Sequence, residues 1–350
     1  FPFVAGETTI QLNAEPVRLR PPTFFLGTDL VEPTIALDRV DQGKRERDIT
    51  RGLVNFGVYE KPNSAIRLVL ITTDDRAQAM DSLVQVLNRG SRQYPGALRT
   101  FRSEFVVQET LVCPSPECYD ERILDFVQTR AREETDVALV YLPSIGDLSD
   151  PDHPYHRTKG LLLREGLPSQ MVDESTVLKP DWRDLTLALN IYAKAGYAPW
   201  VLDEPIDGVD LFIGLSSSWI TRGGQTSRVM GYVNVFDSYG RWRFYRGDTK
   251  AFPFDDRLRH FRDLVAASVA SYRAENGGTI TSVQIHLTKR FSARERQVLA
   301  EAVRRHAPDA AVTFVWVNPH HILRLYDLSD DSDGSVERGT YLWDGRRENG

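Results

Sequence analysis

Cysteine is nearly absent from this chain. The 350 residues include only Cys113 and Cys118, with four residues between them and no second pair. A disulfide framework needs more cysteines and a zinc site more ligands, so both read as ordinary thiols of a cytoplasmic protein. No run of about 18 apolar residues occurs, which excludes a membrane-crossing helix. The opening FPFVAGETTI has neither an initiator Met nor a basic segment followed by an apolar core. It is not a secretory signal, and the numbering can begin inside a longer protein. No GxGxxG or Walker sequence is present, so a nucleotide cofactor has no support. Ser216-Ser217-Ser218 lacks the G-x-S-x-G setting of a nucleophile elbow. A basic surplus is also missing: 43 Lys and Arg face 49 Asp and Glu, a net charge of −6. That balance alone disfavours nucleic acid, whose binding draws on phosphate neutralisation. A basic channel can nonetheless lie inside an acidic surface, and Asp330-Asp331-Ser332-Asp333, in a loop, accounts for part of the excess.

What is present is a regular alternation of elements. The length suggests two domains, since single cores rarely grow past roughly 250–300 residues. Residues 1–47 read as a few strands and a linker, and no function is assigned to them. From 48 to 205, Gly52 to Tyr59 reads as a glycine-punctuated strand or loop, and 65–72 as a buried strand. A helix over 76–87, a strand over 102–107, a helix over 119–133 and a strand over 136–142 follow. Alternating β and α elements predict parallel strands under covering helices, a Rossmann-like α/β domain. From 206 to 350 the order changes. A strand over 209–215, a hairpin from 228 to 245 and an amphipathic helix over 255–275 lead to a strand–helix–strand unit ending at 317. This is the layout of an RNase H-like domain. His260 and His306 fall on helices among charged neighbours and read as solvated. His320-His321 follow a strand end, where a surface or core-edge role outweighs a metal role.

Between these regions lies the stretch from Pro154 to Trp200. Tyr155 and Lys159 are four apart and share one face of a helix that His153-Pro154 starts and Gly166-Leu167-Pro168 stops. Gln170 opens a short apolar segment. Lys194 ends a second helix, 182–195, with Asn190 on the same face. Two ammonium groups, two amides and a ring suit a nucleotide phosphate with a base stacked above it. The stretch follows the strand at 137–142, which places it beyond the carboxyl ends of the parallel strands.

The ordered set Y-x3-K at 155–159, then G-L-P-S-Q ending at Gln170, then I-Y-A-K-A-G-Y-A-P-W ending at Trp200, resembles the MID domain of Argonaute proteins. The later line SVQIHLTKRFSARERQVLAEAV resembles their PIWI domain, and the resemblance extends from about Asp48 onward. It implies that Tyr155, Lys159, Gln170 and Lys194, with Asn190 nearby, grip the 5′ phosphate of a guide strand. No cofactor is implied beyond a Mg²⁺ ion that could accompany that phosphate. An active PIWI domain cuts with two Mg²⁺ about 4 Å apart on clustered carboxylates. Its first Asp follows Ile-Gly-Ile, and a later one follows His-Arg or His-Lys. Here Ser216 follows Ile213-Gly214-Leu215, and Thr288 follows His286-Leu287. A hydroxyl brings no charge to offset the dehydration of Mg²⁺, so no catalytic residue is assigned.

The resemblance implies a MID–PIWI Argonaute of the short, inactive prokaryotic kind. It would sense RNA or DNA targets through an RNA or DNA guide in a defence system. Its expected partner is an effector with a PAZ-like region and a TIR, sirtuin-like or nuclease activity. Both ends of the chain read as interrupted, which leaves a truncated long Argonaute open. Two alternatives stand beside this expectation. One is a guide-directed nuclease with displaced carboxylates, drawn from Asp210, Asp237 or Asp248. The other is an α/β scaffold that binds only protein.

Overall fold

A computed structural model of the chain describes residues 2–5, 8–11, 25–27, 35–36, 44–46, 49–91, 94–145, 153–180, 183–222, 225–248, 252–318 and 341–343. The strand β1 (Ile66–Thr73) is the centre of the first sheet. It pairs in parallel with β2 (Phe105–Cys113) on one side and β3 (Val137–Leu142) on the other, and β3 pairs with the edge strand β4 (Ser169–Asp173). Both β1 and β3 are continuous apolar runs because both sheet faces are covered. Leu68, Leu70, Leu139 and Tyr141 face one layer with Met80, Leu83 and Leu87 of α1 (Ala77–Arg89) and Leu187 and Ile191 of α4 (Asp184–Lys194). Val69, Ile71, Ala138 and Val140 face the opposite layer with Ile123 of α2 (Tyr119–Phe126) and Leu161 and Leu162 of α3 (Pro154–Arg164). Each such buried side chain contributes about 1.5–3 kcal/mol, so the two layers fix which face each helix presents.

The second sheet has six strands, one of them the short Phe252–Pro253 paired to the strand Gln225–Asp237, and its main path runs in the spatial order Trp242–Gly247, Gln225–Asp237, Leu211–Arg222, Ser282–Leu287, Ala311–Trp316. It is built from β5 (Leu211–Arg222), β6 (Gln225–Asp237), β7 (Trp242–Gly247), β8 (Ser282–Leu287) and β9 (Ala311–Trp316). The first three form an antiparallel meander, and β8 and β9 continue it in parallel from β5. On β8 the inward residues Val283, Ile285 and Leu287 alternate with half-buried Ser282, Gln284 and His286. Two helices, α5 (Arg257–Asn276) and α6 (Ala293–Arg304), supply Phe261, Leu264, Val265, Leu299 and Val303 to that core. This is the hairpin and then strand–helix–strand order expected of an RNase H-like α/β domain.

Three expectations are corrected. Ile49–Phe56 is a helix, not a strand, with Gly52 and Leu53 buried. The strand expected at 102–107 begins at Phe105 because Arg102 is left-handed, φ 57°, and turns the chain first. The helix expected over 119–133 stops at Phe126 and resumes at Arg130, with Thr129 Oγ1 donating to the Phe126 carbonyl in the break. Asp330 to Asp333 and His320-His321 lie outside the described residues.

Candidate functional site

His153 and Pro154 start α3: the imidazole Nδ1 accepts from the Tyr155 amide at 3.1 Å, and Pro154 occupies the first helical position, where no amide donor is needed. One turn later, Lys159 Nζ donates to the Tyr155 hydroxyl at 3.0 Å and lies 5.1 Å from its ring centroid. Gln170 is the second residue of β4. Its amide nitrogen donates to the Met171 carbonyl at 2.8 Å, which aims its oxygen at Lys194 Nζ, and that ammonium donates to it. Lys194 is the last residue of α4. Burial, and then the charge of Lys159, bring its pKa down to about 8. The four residues therefore form one cluster: two direct hydrogen bonds, joined by repulsion between the two ammonium groups.

Asn190 does not join these contacts. It is exposed, and with Lys194 it lines a neighbouring cleft of about 660 Å³ shared with Arg241, Trp242 and Arg243. The placement beyond the carboxyl ends of the strands is also not met. Gln170 lies near the start of the edge strand and Lys194 at the end of a helix, so the cluster sits at the amino end of β4. At the carboxyl ends, Glu174 receives both arms of Arg76, at 2.6 and 2.8 Å, and the Tyr141 hydroxyl at 2.6 Å. The Arg76 hydrogen bonds, then that of Tyr141, hold the Glu174 carboxyl below its ordinary range. Asp173 and Glu174 line the hollow there. Lys179 lines it too and Arg76 offsets Glu174, so this end carries no surplus of positive charge, while the Lys159/Lys194 pair attracts a phosphate.

A divalent ion bound by the protein alone does not fit the cluster. It offers a phenol and a carboxamide oxygen already accepting from Lys194, beside two positive charges, and no carboxylate belongs to the connected set. Among the described residues no group of three or more His, Cys, Asp or Glu could hold a metal.

In the second sheet, Leu215 pairs with Leu287 on parallel strands, so Ser216 and Thr288 come next on each. Ser216 continues β5, whereas Thr288 is the first residue past the end of β8. The three carboxylates that could stand in for an absent Asp each already accept hydrogen bonds, Asp248 doing so beside Gly231, the strand partner of Ser217. Asp210 accepts from the Thr281 amide and hydroxyl and the Ser282 amide at 2.6, 2.8 and 3.0 Å, at the far end of β5 and about 20 Å from Ser216. Burial raises its pKa, but those hydrogen bonds outweigh burial and leave it lowered. Asp237 accepts from the Tyr239 and Arg241 amides in the β6–β7 turn. Asp248 accepts from the Gly231 amide at 2.8 Å and meets His260 Nδ1 at 3.0 Å. His260 is therefore not simply solvated: its ring also stacks on Phe252 at 3.6 Å.

Sequence reasoning missed the junction between the two sheets. Glu60 accepts from Arg241 and, at 2.7 Å, from the Ala198 amide, and the Tyr192 hydroxyl donates to the Glu60 carbonyl. Glu60 and Arg241 are 181 positions apart, and no periodicity links them.

No family model matches the sequence. Over 101 residues, 28% of the chain, it is 33% identical to the Argonaute of Aquifex aeolicus (strain VF5). Over 215 residues, 55% of the chain, it is 25% identical to the Argonaute of Cereibacter sphaeroides (strain ATCC 17025 / ATH 2.4.3). These matches span only 14% and 28% of the two proteins. Among solved structures, Clostridium butyricum Argonaute bound to a guide DNA (5′ deoxycytidine) and a 19-mer target DNA has a TM-score of 0.68 at 17% identity, covering 92% of this chain and 44% of that one. No helix among the described residues is long and apolar enough to cross a membrane. Over part of its sequence, and in its fold, the chain is similar to prokaryotic Argonautes.

Proposed function

We propose that the chain holds the 5′-phosphorylated end of a guide strand at Tyr155, Lys159, Gln170 and Lys194, and retains a complementary target without cutting it. One observation carries this reading. Lys194 and Lys159 are both half-buried, and burial first, then the charge of Lys159, lowers the pKa of Lys194 with no carboxylate among the causes. A dianionic phosphate relieves both the burial and the repulsion. Charge-assisted hydrogen bonds of this kind contribute about 1.5–3 kcal/mol each, so removing both lysines costs several kcal/mol of binding. The Tyr155 ring offers a face for the first base, and Asn190, on the adjoining cleft, is within one helical turn of Lys194.

Retention without cleavage is supported by the neutral side chains of Ser216, on β5, and Thr288, just past the end of β8, and by the hydrogen bonds that Asp210, Asp237 and Asp248 already accept. On this reading target pairing is the output: the duplex shifts a conformational equilibrium by binding one state better than another. The enzymatic activity then belongs to an associated effector with a PAZ-like region, in a prokaryotic defence system of the cytoplasm.

The test measures affinity for RNA and DNA guides that differ only in a 5′ phosphate or 5′ hydroxyl. A cleavage assay with matched target and Mg²⁺ or Mn²⁺ runs alongside. The expected result is a preference for the phosphate of tenfold or more, about 1.4 kcal/mol, lost in Lys159→Ala/Lys194→Ala, with the target intact. Equal affinity for the two guide ends would remove the basis of the pocket. A product cut at a fixed guide position would make the protein a nuclease.

A further inference from the structure

Directly after Thr288 the chain runs through Lys289, Arg290 and Phe291 to Ser292, which caps α6. A hollow of about 500 Å³ opens there, and its lining includes Arg257, Lys289, Arg290 and Arg294 against the carboxylates of Asp255 and Glu295. Glu295 organises the group from below. It is buried, and its oxygens accept from the Ser292 amide at 2.9 Å, Lys289 Nζ at 2.7 Å and Arg257 Nη2 at 3.1 Å. Burial opposes its ionisation, but the bonds from Lys289 and Ser292 prevail and hold its pKa at about 2. Arg257 lies over the Phe254 ring at 4.5 Å, and its Nε is buried with no acceptor among the described residues. Arg290 and Arg294 are exposed at the rim. On the adjoining strand, Trp316 is 50% exposed, and its indole nitrogen donates to the Thr288 carbonyl at 3.2 Å. That bond anchors an aromatic face next to position 288.

We propose that Lys289, Arg290 and Arg294, gathered around Glu295 with Arg257, form a phosphodiester-binding site that replaces a metal pair in holding the guide–target duplex, with Trp316 as the adjoining stacking surface. A metal-dependent nuclease draws the phosphate of its substrate onto divalent ions held by carboxylates. Here hydroxyls stand at Ser216 on β5 and at Thr288 just past β8, and the cations of the hollow begin one residue further on, at Lys289. The site attracts the same phosphate while repelling a divalent ion. The proposal rests on the duplex-binding reading above and adds the residues, the ligand class and the independence from metal.

The experiment measures the affinity of a matched guide–target duplex, and separately of the 5′-phosphorylated guide strand alone, over a range of salt, with EDTA or with Mg²⁺. The variants are Arg290→Ala/Arg294→Ala, which alters exposed side chains, and Lys289→Gln, which can still donate to Glu295. Expected are duplex binding unaffected by EDTA, a loss of about tenfold or more in the double variant, and a salt slope shallower by about 2. Guide-only affinity stays at the wild-type value, which also reports that the variants are folded. Unchanged duplex affinity and slope in both variants, or abolition of wild-type duplex binding by EDTA, overturns the proposal. If the guide end is held but the duplex gains nothing from these residues, this site falls and the guide pocket stands. If a 5′-hydroxyl duplex depends on them while the guide end goes unrecognised, the guide pocket falls and this site stands.

Discussion

Lys194 titrates near 8 because its ammonium loses water on burial and then faces Lys159. The charged form binds phosphate, so affinity for a phosphorylated guide weakens as pH rises through about 8. It also weakens toward low pH as the phosphate takes up a proton near pH 6. Stability runs the other way. The unfolded chain keeps its lysine proton up to the ordinary lysine value of 10.5, so between about 8 and 10.5 it holds more protons and folding stability rises with pH. Replacing Lys159 by Ala removes the second cause of the shift. Affinity at neutral pH then drops, but its decline begins at a higher pH. Fluorescence anisotropy of a labelled guide across this range checks both statements, and a flat profile in the wild type contradicts them. The residue types and spacing of the cluster were readable in the sequence. The repulsion was not, since Lys159 and Lys194 approach only after α3 and α4 pack on either side of β4.

At the scale of elements, two glycines show how differently local breaks are held. Gly196 follows α4 with φ +94°, and an added Cβ would meet nothing within 4 Å. Gly96, φ +92°, precedes the short helix Ala97–Phe101, and there a Cβ would lie 2.5 Å from the Asn88 carbonyl oxygen and 2.8 Å from that of Arg89. Gly196→Ala bears only the cost of a left-handed backbone, about 1 kcal/mol. Gly96→Ala must also move backbone, and costs about 3 kcal/mol. Urea unfolding of the two variants separates the cases, and equal losses would contradict the argument. The same scale shows where patterns were legible. The helix start at His153-Pro154 and its stop at Gly166 follow from chain chemistry, and Pro154–Arg164 is helical. Residues 49–56 misled because Gly52, Val54 and Phe56 alternate like a strand. As a helix the segment buries Leu53 in the first core, and packing overrode the alternation.

Across the whole molecule, the two sheets meet where the β6–β7 turn docks on the segment after α4. The Leu202 amide donates to the Tyr239 carbonyl at 3.0 Å, and the Ile206 amide to that of Ser238 at 2.8 Å. Arg241 closes the junction on Glu60, whose side chain is 12% exposed. Arg241→Ala leaves that carboxylate with one donor fewer in a nearly dry setting, at a cost of about 1–3 kcal/mol. Hydrogen exchange should quicken at Leu202 and Ile206 while Val69 and Ile285, inside their sheets, keep their protection. Equal acceleration everywhere would mean that the junction is not a separate unit of stability. Net charge belongs to this scale too. A surplus of six negative charges coexists with cation clusters at Lys159/Lys194 and at Lys289/Arg290/Arg294, because local fields follow placement rather than totals.

The sequence by itself determined the α/β order, the parallel first sheet and the residue types of the cluster at Tyr155, Lys159, Gln170 and Lys194. Strand and helix periodicities are local, and the spacing of Tyr155 and Lys159 is one helical turn. It also showed hydroxyls at 216 and 288 in line with a likeness visible along the chain. Tertiary structure alone decided that the cluster lies at the amino end of an edge strand, with a salt-bridged acidic hollow at the opposite end. It alone joined Glu60 to Arg241 and brought Arg257 onto Glu295. Each of these depends on strand register or on contacts between residues far apart in the chain, and neither leaves a periodic trace in the residues themselves.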